Sequence, residues 1–249
     1  MITIVNSIII AVILAALLIV FAKPVHKWRY IVYLAVLLIT AYIVGAPQYM
    51  TNTGWPQWFS RDIATLFRVG SLAAAVFIVV MYIGILPRKW RFTKKIRSIR
   101  AELSVIACIL ALGHNVTYTS VFIQFFGNLD TPSALRGYWW YACLFSLILI
   151  GLMIPLLITS FYSVRKWMSA KTWKRLQSTS YIFYVMLYLH VTGILLYTAL
   201  NGGHGGADGD TLVVYSALFL PYFVLRPAKY LWDRSKKTTT SENEETESV

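Results

Sequence analysis

Charge is scarce in this chain. Only 13% of its 249 residues are Asp, Glu, Lys or Arg, against 58% hydrophobic and 15% aromatic. A soluble domain needs a solvated surface that this composition cannot supply, so the balance indicates a polytopic membrane protein. Cysteine is scarcer still. Cys108 and Cys143 lie in separate apolar stretches and form no CxxC pair; they read as small packing residues, and no disulfide is expected. No internal repeat is found, and no loop is long enough for a soluble domain. The excess of cations, a net charge of +13, could point to nucleic acid. Its placement in short loops between apolar runs is explained by topology instead, and no nucleic-acid partner is expected.

Seven apolar runs approach the length that a bilayer requires of a helix: 2–22, 28–46, 63–86, 101–121, 138–161, 174–200 and 211–225. The first lacks the charged n-region and small-residue cleavage site of a signal peptide, and reads as a membrane span. Cations crowd alternate loops. Lys23, Lys27 and Arg29 follow the first run, seven cations from Arg88 to Arg100 follow the third, five from Arg165 to Arg175 follow the fifth, and Arg226 to Lys237 follow the last. The intervening loops hold only Arg61 and Arg136 near their ends. The positive-inside rule then sets the N-terminus outside and the C-terminus in the cytoplasm. The tryptophans, at run ends or in loops, fit an interfacial aromatic belt. The expected fold is an all-α integral membrane protein, a bundle of about seven transmembrane helices. Residues 1–86 would form three N-terminal helices, 87–232 a helical core, and 233–249 an acidic tail. The tail stretch Thr238–Val249, polar and free of aromatics, reads as disordered.

Two histidines stand out against this background. His114 lies thirteen residues into the fourth run and His190 sixteen into the sixth, each counted from a basic helix start. At 1.5 Å per residue these are depths of about 20 and 24 Å from the same face. Ionisable side chains at such depth point to function, and two at like depth suggest one shared ligand. Neutral imidazoles on facing helices can supply both axial ligands of a low-spin haem. Gly113 adjoins the first histidine and Gly193 lies about one turn beyond the second, where a missing side chain would admit a flat macrocycle. Phe183, Met186, Ile194 and Tyr197 share that face. The plainer alternative is a histidine bonded to a backbone carbonyl or hydroxyl across helices, with Thr117, Tyr118 and Thr192 near.

The residues Arg100-Ala101-Glu102-Leu103 leading to His114, and Trp173-Lys174-Arg175-Leu176 leading to Tyr181 and Leu189-His190, resemble the ferric-reductase-like transmembrane domain. That superfamily includes ferric reductases, NADPH oxidases and the haem-binding membrane subunit of bacterial methionine sulfoxide reductase. The resemblance covers roughly residues 86–230. It implies b-type haem held by histidines of two helices, in a multi-pass protein of a bacterial cytoplasmic membrane. Members with two stacked haems carry a further histidine on each ligand helix. Those positions here hold Ala101 and Gln177, thirteen residues before His114 and His190. The resemblance therefore implies one haem b, its iron on His114 and His190. It also implies that electrons come from quinol or a flavoprotein, any flavin being carried by a partner, and leave to an acceptor at the outer face. No bond-breaking catalytic residue is expected in this chain.

Arg68, inside the third run near the histidines' depth, could pair with a haem propionate or snorkel outward beside Arg61; Arg136 is a weaker candidate of the same kind. The glycine-rich loop 201–210 holds His204, Asp208 and Asp210, which could bind a metal or dock an acceptor, or simply form a flexible loop. His26 reads as solvated. Two haem-free readings compete: a transporter or sensor whose polar pocket uses Arg68, His114, Gln124 and His190, and a subunit that only scaffolds a reductase.

The orientation is directly testable. A fluorescent protein fused after Val249 should mature in the cytoplasm, while alkaline phosphatase inserted at His204 should be active outside. The reverse pattern would overturn the assignment.

Overall fold

The computed structural model describes residues 2–45, 56, 58–87, 90–127, 133–201 and 207–246, with the side chains of some helix-end residues excepted. Its elements are helical, and no strand occurs among the described residues. In chain order they are α1 (Ile2–Val20), α2 (Ala22–Lys27), α3 (Arg29–Gly45), a π-turn (Phe59–Ile63) running into α4 (Ala64–Arg68), and α5 (Ser71–Ile83). After these come α6 (Arg91–Ser98), α7 (Arg100–Gly127), α8 (Ser133–Ile158), α9 (Tyr162–Arg165), α10 (Ala170–Ser178), α11 (Ser180–Leu200) and α12 (Ala207–Thr246).

Four stretches are long and apolar enough to cross a membrane: Arg100–Gln124, Gly137–Ile158, Ala170–Leu200 and Asp208–Trp232. Three shorter apolar helices, Ile4–Val20, Arg29–Gly45 and Ser71–Ile83, stand where the other expected runs lie. The chain is thus a multi-pass membrane protein with four helices of full spanning length among the described residues, where the apolar runs alone suggested seven.

The third run departs most from expectation. Read as one span over 63–86, it is two helices separated at Val69–Gly70. The Val69 N–H donates to the Thr65 carbonyl, closing α4, and Gly70 takes φ +76°. A glycine in the left-handed region just past a helix end is the common helix stop, and the same residue caps α5.

Helix α5 is the centre of the bundle. Every residue from Ser71 to Ile78 is buried, as expected for a helix that is apolar all round. Ala73, Ala74 and Ala75 keep its surface small, which lets neighbouring backbones approach. It packs on α1 and α7, and α7 in turn on α3. Along α1, Ile4, Ser7, Ala11, Ala15 and Leu18 form the buried stripe, and Ser7 Oγ donates to Ser71 Oγ at 2.9 Å. On the other side α11 packs between α8 and α12. Outward-facing Leu, Ile, Val and Trp side chains are extensively exposed, which suits contact with lipid.

Two smaller expectations change. His26, read as solvated, has its Nδ1–H on Glu102 Oε1 at 2.8 Å, and Glu102 is only 3% exposed. Burying a carboxylate demands such a partner, and this one ties α2 to the start of α7. The last helix continues to Thr246, through most of the stretch read as disordered; no Gly or Pro after Pro227 supplies a stop. Residues 247–249 lie outside the described residues.

The aromatic cluster on α11 and α12 gives a packing test. Tyr184 is fully buried, stacked on Phe219 at 4.5 Å and set edge-on to Tyr222 at 4.6 Å between ring centroids. Its hydroxyl is buried with no hydrogen-bond partner. Tyr184→Ala should cost roughly 3 kcal/mol in reversible denaturation of the detergent-solubilised protein. Tyr184→Phe should be neutral or stabilising, because it removes a polar group that has no partner.

Candidate functional site

The site grows from the break after Arg68. A helix leaves its last carbonyls without partners from the following turn. The Arg68 carbonyl finds one on another helix: His114 Nδ1 lies 2.7 Å away. A carbonyl can only accept, so the imidazole donates through Nδ1–H and its proton is fixed there. The Nε2 lone pair is left to face something else. Gly70 makes the approach possible, since a Cβ built on it would fall 2.9 Å from the His114 ring.

His190 comes from α11 on the opposite side. It is 8% exposed, and its Nδ1 is buried with no hydrogen-bond partner. The two imidazoles are within electrostatic reach of each other and line one cavity of about 590 Å³. That size lies in the usual range for small-molecule and cofactor sites. Phe77, Phe183, Leu187 and Ile194 wall it with apolar surface, while Tyr118, Tyr138 and Asp208 supply polar groups. Tyr118 stands one turn beyond His114, the rings 4.9 Å apart.

Several expected members do different work. Gly113 does not line the cavity: a Cβ there would meet Thr40, so the missing side chain lets α7 close on α3. Gly193 likewise accommodates Tyr141 of α8, whose hydroxyl donates to the Leu189 carbonyl. Both glycines serve helix–helix packing, which brings the histidine helices to their neighbours without touching the cavity. The Arg68 side chain is not among the cavity walls, and its contribution is the carbonyl. Of the residues sharing the His190 face, Phe183 and Ile194 line the cavity; Met186 and Tyr197 do not, and Tyr197 stacks on Tyr138 at 4.5 Å. Gln177, at the position of a second ligand, donates through Nε2 to Thr159 Oγ1 at 3.2 Å, and Ala101 is exposed. Arg136's side chain and His204 lie outside the described residues. Asp210 is exposed, and of that loop's candidates among the described residues Asp208 alone lines the cavity.

Sequence reasoning missed Gly70 and Phe77 as parts of the site; it offered Tyr118 only as a hydrogen-bond partner for a buried histidine, and Asp208 only as a member of the glycine-rich loop. Among the described residues no group of three or more His, Cys, Asp or Glu side chains could hold a metal ion.

The importance of the break can be measured. Gly70→Ala should destabilise the protein by more than the ~1–2 kcal/mol of a left-handed non-glycine residue, because the new Cβ also meets His114. Gly151→Ala, in open space on α8, should be neutral in the same thermal-unfolding assay.

Comparison with known proteins bears on this geometry. Residues 69–188 match the family described as ferric reductase like transmembrane component. The match begins at the helix break, includes His114 and ends two residues before His190. An uncharacterised protein of Treponema pallidum (strain Nichols) is 36% identical over 168 residues, 66% of this chain. The chain spans 44% of that relative's length. No solved structure matches.

Proposed function

We propose that this chain, whose residues 69–188 match the ferric reductase like transmembrane component, is a b-type cytochrome that holds one haem between His114 and His190. The observation that carries the reading is the shared cavity, into which two helices bring one imidazole each. The chemistry of the donors fits. His114 spends its only ring proton on the Arg68 carbonyl and keeps Nε2 as a lone-pair donor, the arrangement in which a ligand histidine is oriented by a second partner. His190 carries a buried nitrogen that the chain itself leaves without a bond. A bound haem would supply one-electron transfer, its potential set by bis-imidazole ligation and the apolar surround.

The chain's own residues would hold and insulate that centre. Phe77, Phe183, Leu187 and Ile194 exclude water from around the two imidazoles. Gly70 leaves room for the His114 ring to sit against the broken helix. Tyr118, Tyr138 and Asp208 give the cavity a polar side suited to the edge of an amphipathic ligand. In this reading electrons arrive from quinol or a flavoprotein partner and leave to an acceptor at the outer face. The setting is the cytoplasmic membrane, and the Treponema relative is in keeping with a bacterial source. A haem-free pocket built on Arg68, His114, Gln124 and His190 has less support, because neither Arg68 nor Gln124 lines the cavity.

The deciding experiment is a dithionite-reduced minus oxidised spectrum of protein made in haem-replete cells, with a pyridine haemochrome assay. A b-type spectrum near one haem per chain is expected, lost in both His114→Ala and His190→Ala. A folded, colourless wild-type protein would refute the proposal, and two haems per chain would refute the single-site form of it.

A further inference from the structure

The cations of the basic loops divide into two groups. Arg91, Lys94, Lys95, Arg165, Lys166, Lys174 and Arg175 are exposed, as cations at a membrane surface usually are. Arg97, Arg100, Arg226 and Lys229 are half-buried, and all four line a second cavity of about 270 Å³ with Tyr181 and Tyr222. Among the described residues that line it there is no Asp or Glu.

The site is assembled from three parts of the chain. The end of α6 supplies Arg97, whose Nη2 donates to the Leu86 carbonyl at 3.0 Å. The first residue of α7 supplies Arg100. The α12 face supplies Arg226 and Lys229, one turn apart, and Arg226 Nε donates to Tyr181 Oη at 3.0 Å. These bonds hold two guanidiniums at the wall. Arg100 and Arg226 are close enough to interact electrostatically, and the buried Arg100 Nε has no hydrogen-bond partner. Half-buried cations gathered around one cavity repel one another, and a buried donor without an acceptor is costly. Both costs are relieved by one ligand that carries negative charge and several acceptor oxygens.

We infer that the cavity between α6, α7 and α12 is a binding site for a phosphate group, gripped by Arg97, Arg100, Arg226 and Lys229. Phosphate oxygens match the fork of an arginine bidentately, and three guanidiniums with one ammonium offer more donors than a carboxylate could use. Such a group could be the phosphodiester of a membrane lipid or the phosphate of a soluble compound. The site is separate from the histidine cavity, and its occupancy does not require haem.

The test uses the purified full chain. Native mass spectrometry after detergent exchange reads retained phospholipid, and thermal unfolding of the delipidated protein is followed against added inorganic pyrophosphate. The wild type should either retain one phospholipid that pyrophosphate fails to displace, which identifies a lipid site, or show a saturable rise in unfolding temperature, which identifies a soluble phosphate. Arg100→Gln and Lys229→Gln should each weaken the response about tenfold, the loss expected of one charge-assisted contact; the second variant leaves α7 intact should the first fold poorly. Lys94→Gln/Lys95→Gln, which removes two exposed cations, should leave it unchanged. Absence of both a retained phospholipid and a pyrophosphate response, or equal weakening by the Lys94/Lys95 variant, would overturn the proposal. Haem content is not read at any step, so failure here leaves the cytochrome reading untouched.

Discussion

The hydrogen bond from His114 Nδ1–H to the Arg68 carbonyl depends on a helix that stops where its apolar sequence would let it run on. In a continuous helix that carbonyl would accept from the N–H four residues on, and nothing would remain for an imidazole. Ending α4 at Arg68 frees it, and Gly70 at φ +76° turns the chain while leaving the space that the ring occupies. One backbone event therefore sets the tautomer, the position and the free nitrogen of the histidine. The interruption is tolerable in a membrane because the freed polar group is buried in protein and satisfied there, not presented to lipid.

The rest of the bundle follows from where this break is held. Helix α5 begins at the break and is buried from Ser71 to Ile78, so the break is anchored to the most enclosed element of the fold. Helix α7 packs on α5 and carries His114 alongside; α11, braced by α8 and α12, brings His190 from the other side. Gly113 and Gly193 let each histidine helix seat closely on an outer neighbour, through Thr40 and Tyr141. The cavity is what remains between two well-packed pairs.

Composition and charge made the membrane class legible, because hydrocarbon allows few alternatives to apolar helices and cations mark loop ends. The histidines were legible for the same reason: an imidazole deep in an apolar run has few structural explanations. The break was not, since a single glycine in the run from Arg68 to Ala75 is equally compatible with an unbroken membrane helix. Nor could sequence say which neighbour would fill the faces of Gly113 and Gly193, because a glycine signals close approach without naming what approaches. The partnership of His26 with Glu102 spans 76 positions and has no local signature. Asp208 was visible only as part of a glycine-rich loop, and its place at the cavity depends on how α12 begins.

The two cavities differ in chemistry, and the side chains between them explain how both can exist in one small bundle. Phe77 and Tyr215 line the histidine cavity, while Met81 and Tyr222, one and two turns further along the same helices, line the basic one. Between them Phe219 and Tyr184 stack at 4.5 Å and Tyr184 meets Tyr222 at 4.6 Å, rings that fill the interior along α11 and α12. A packed aromatic block of this kind excludes water as well as voids. It keeps the cationic cavity from hydrating the imidazoles, and it keeps the low-dielectric surround of the imidazoles from enclosing four cations. The aromatic block is thus what lets a largely apolar cavity with two imidazoles and a cavity lined by four cations sit on the same helices, α5, α7, α11 and α12.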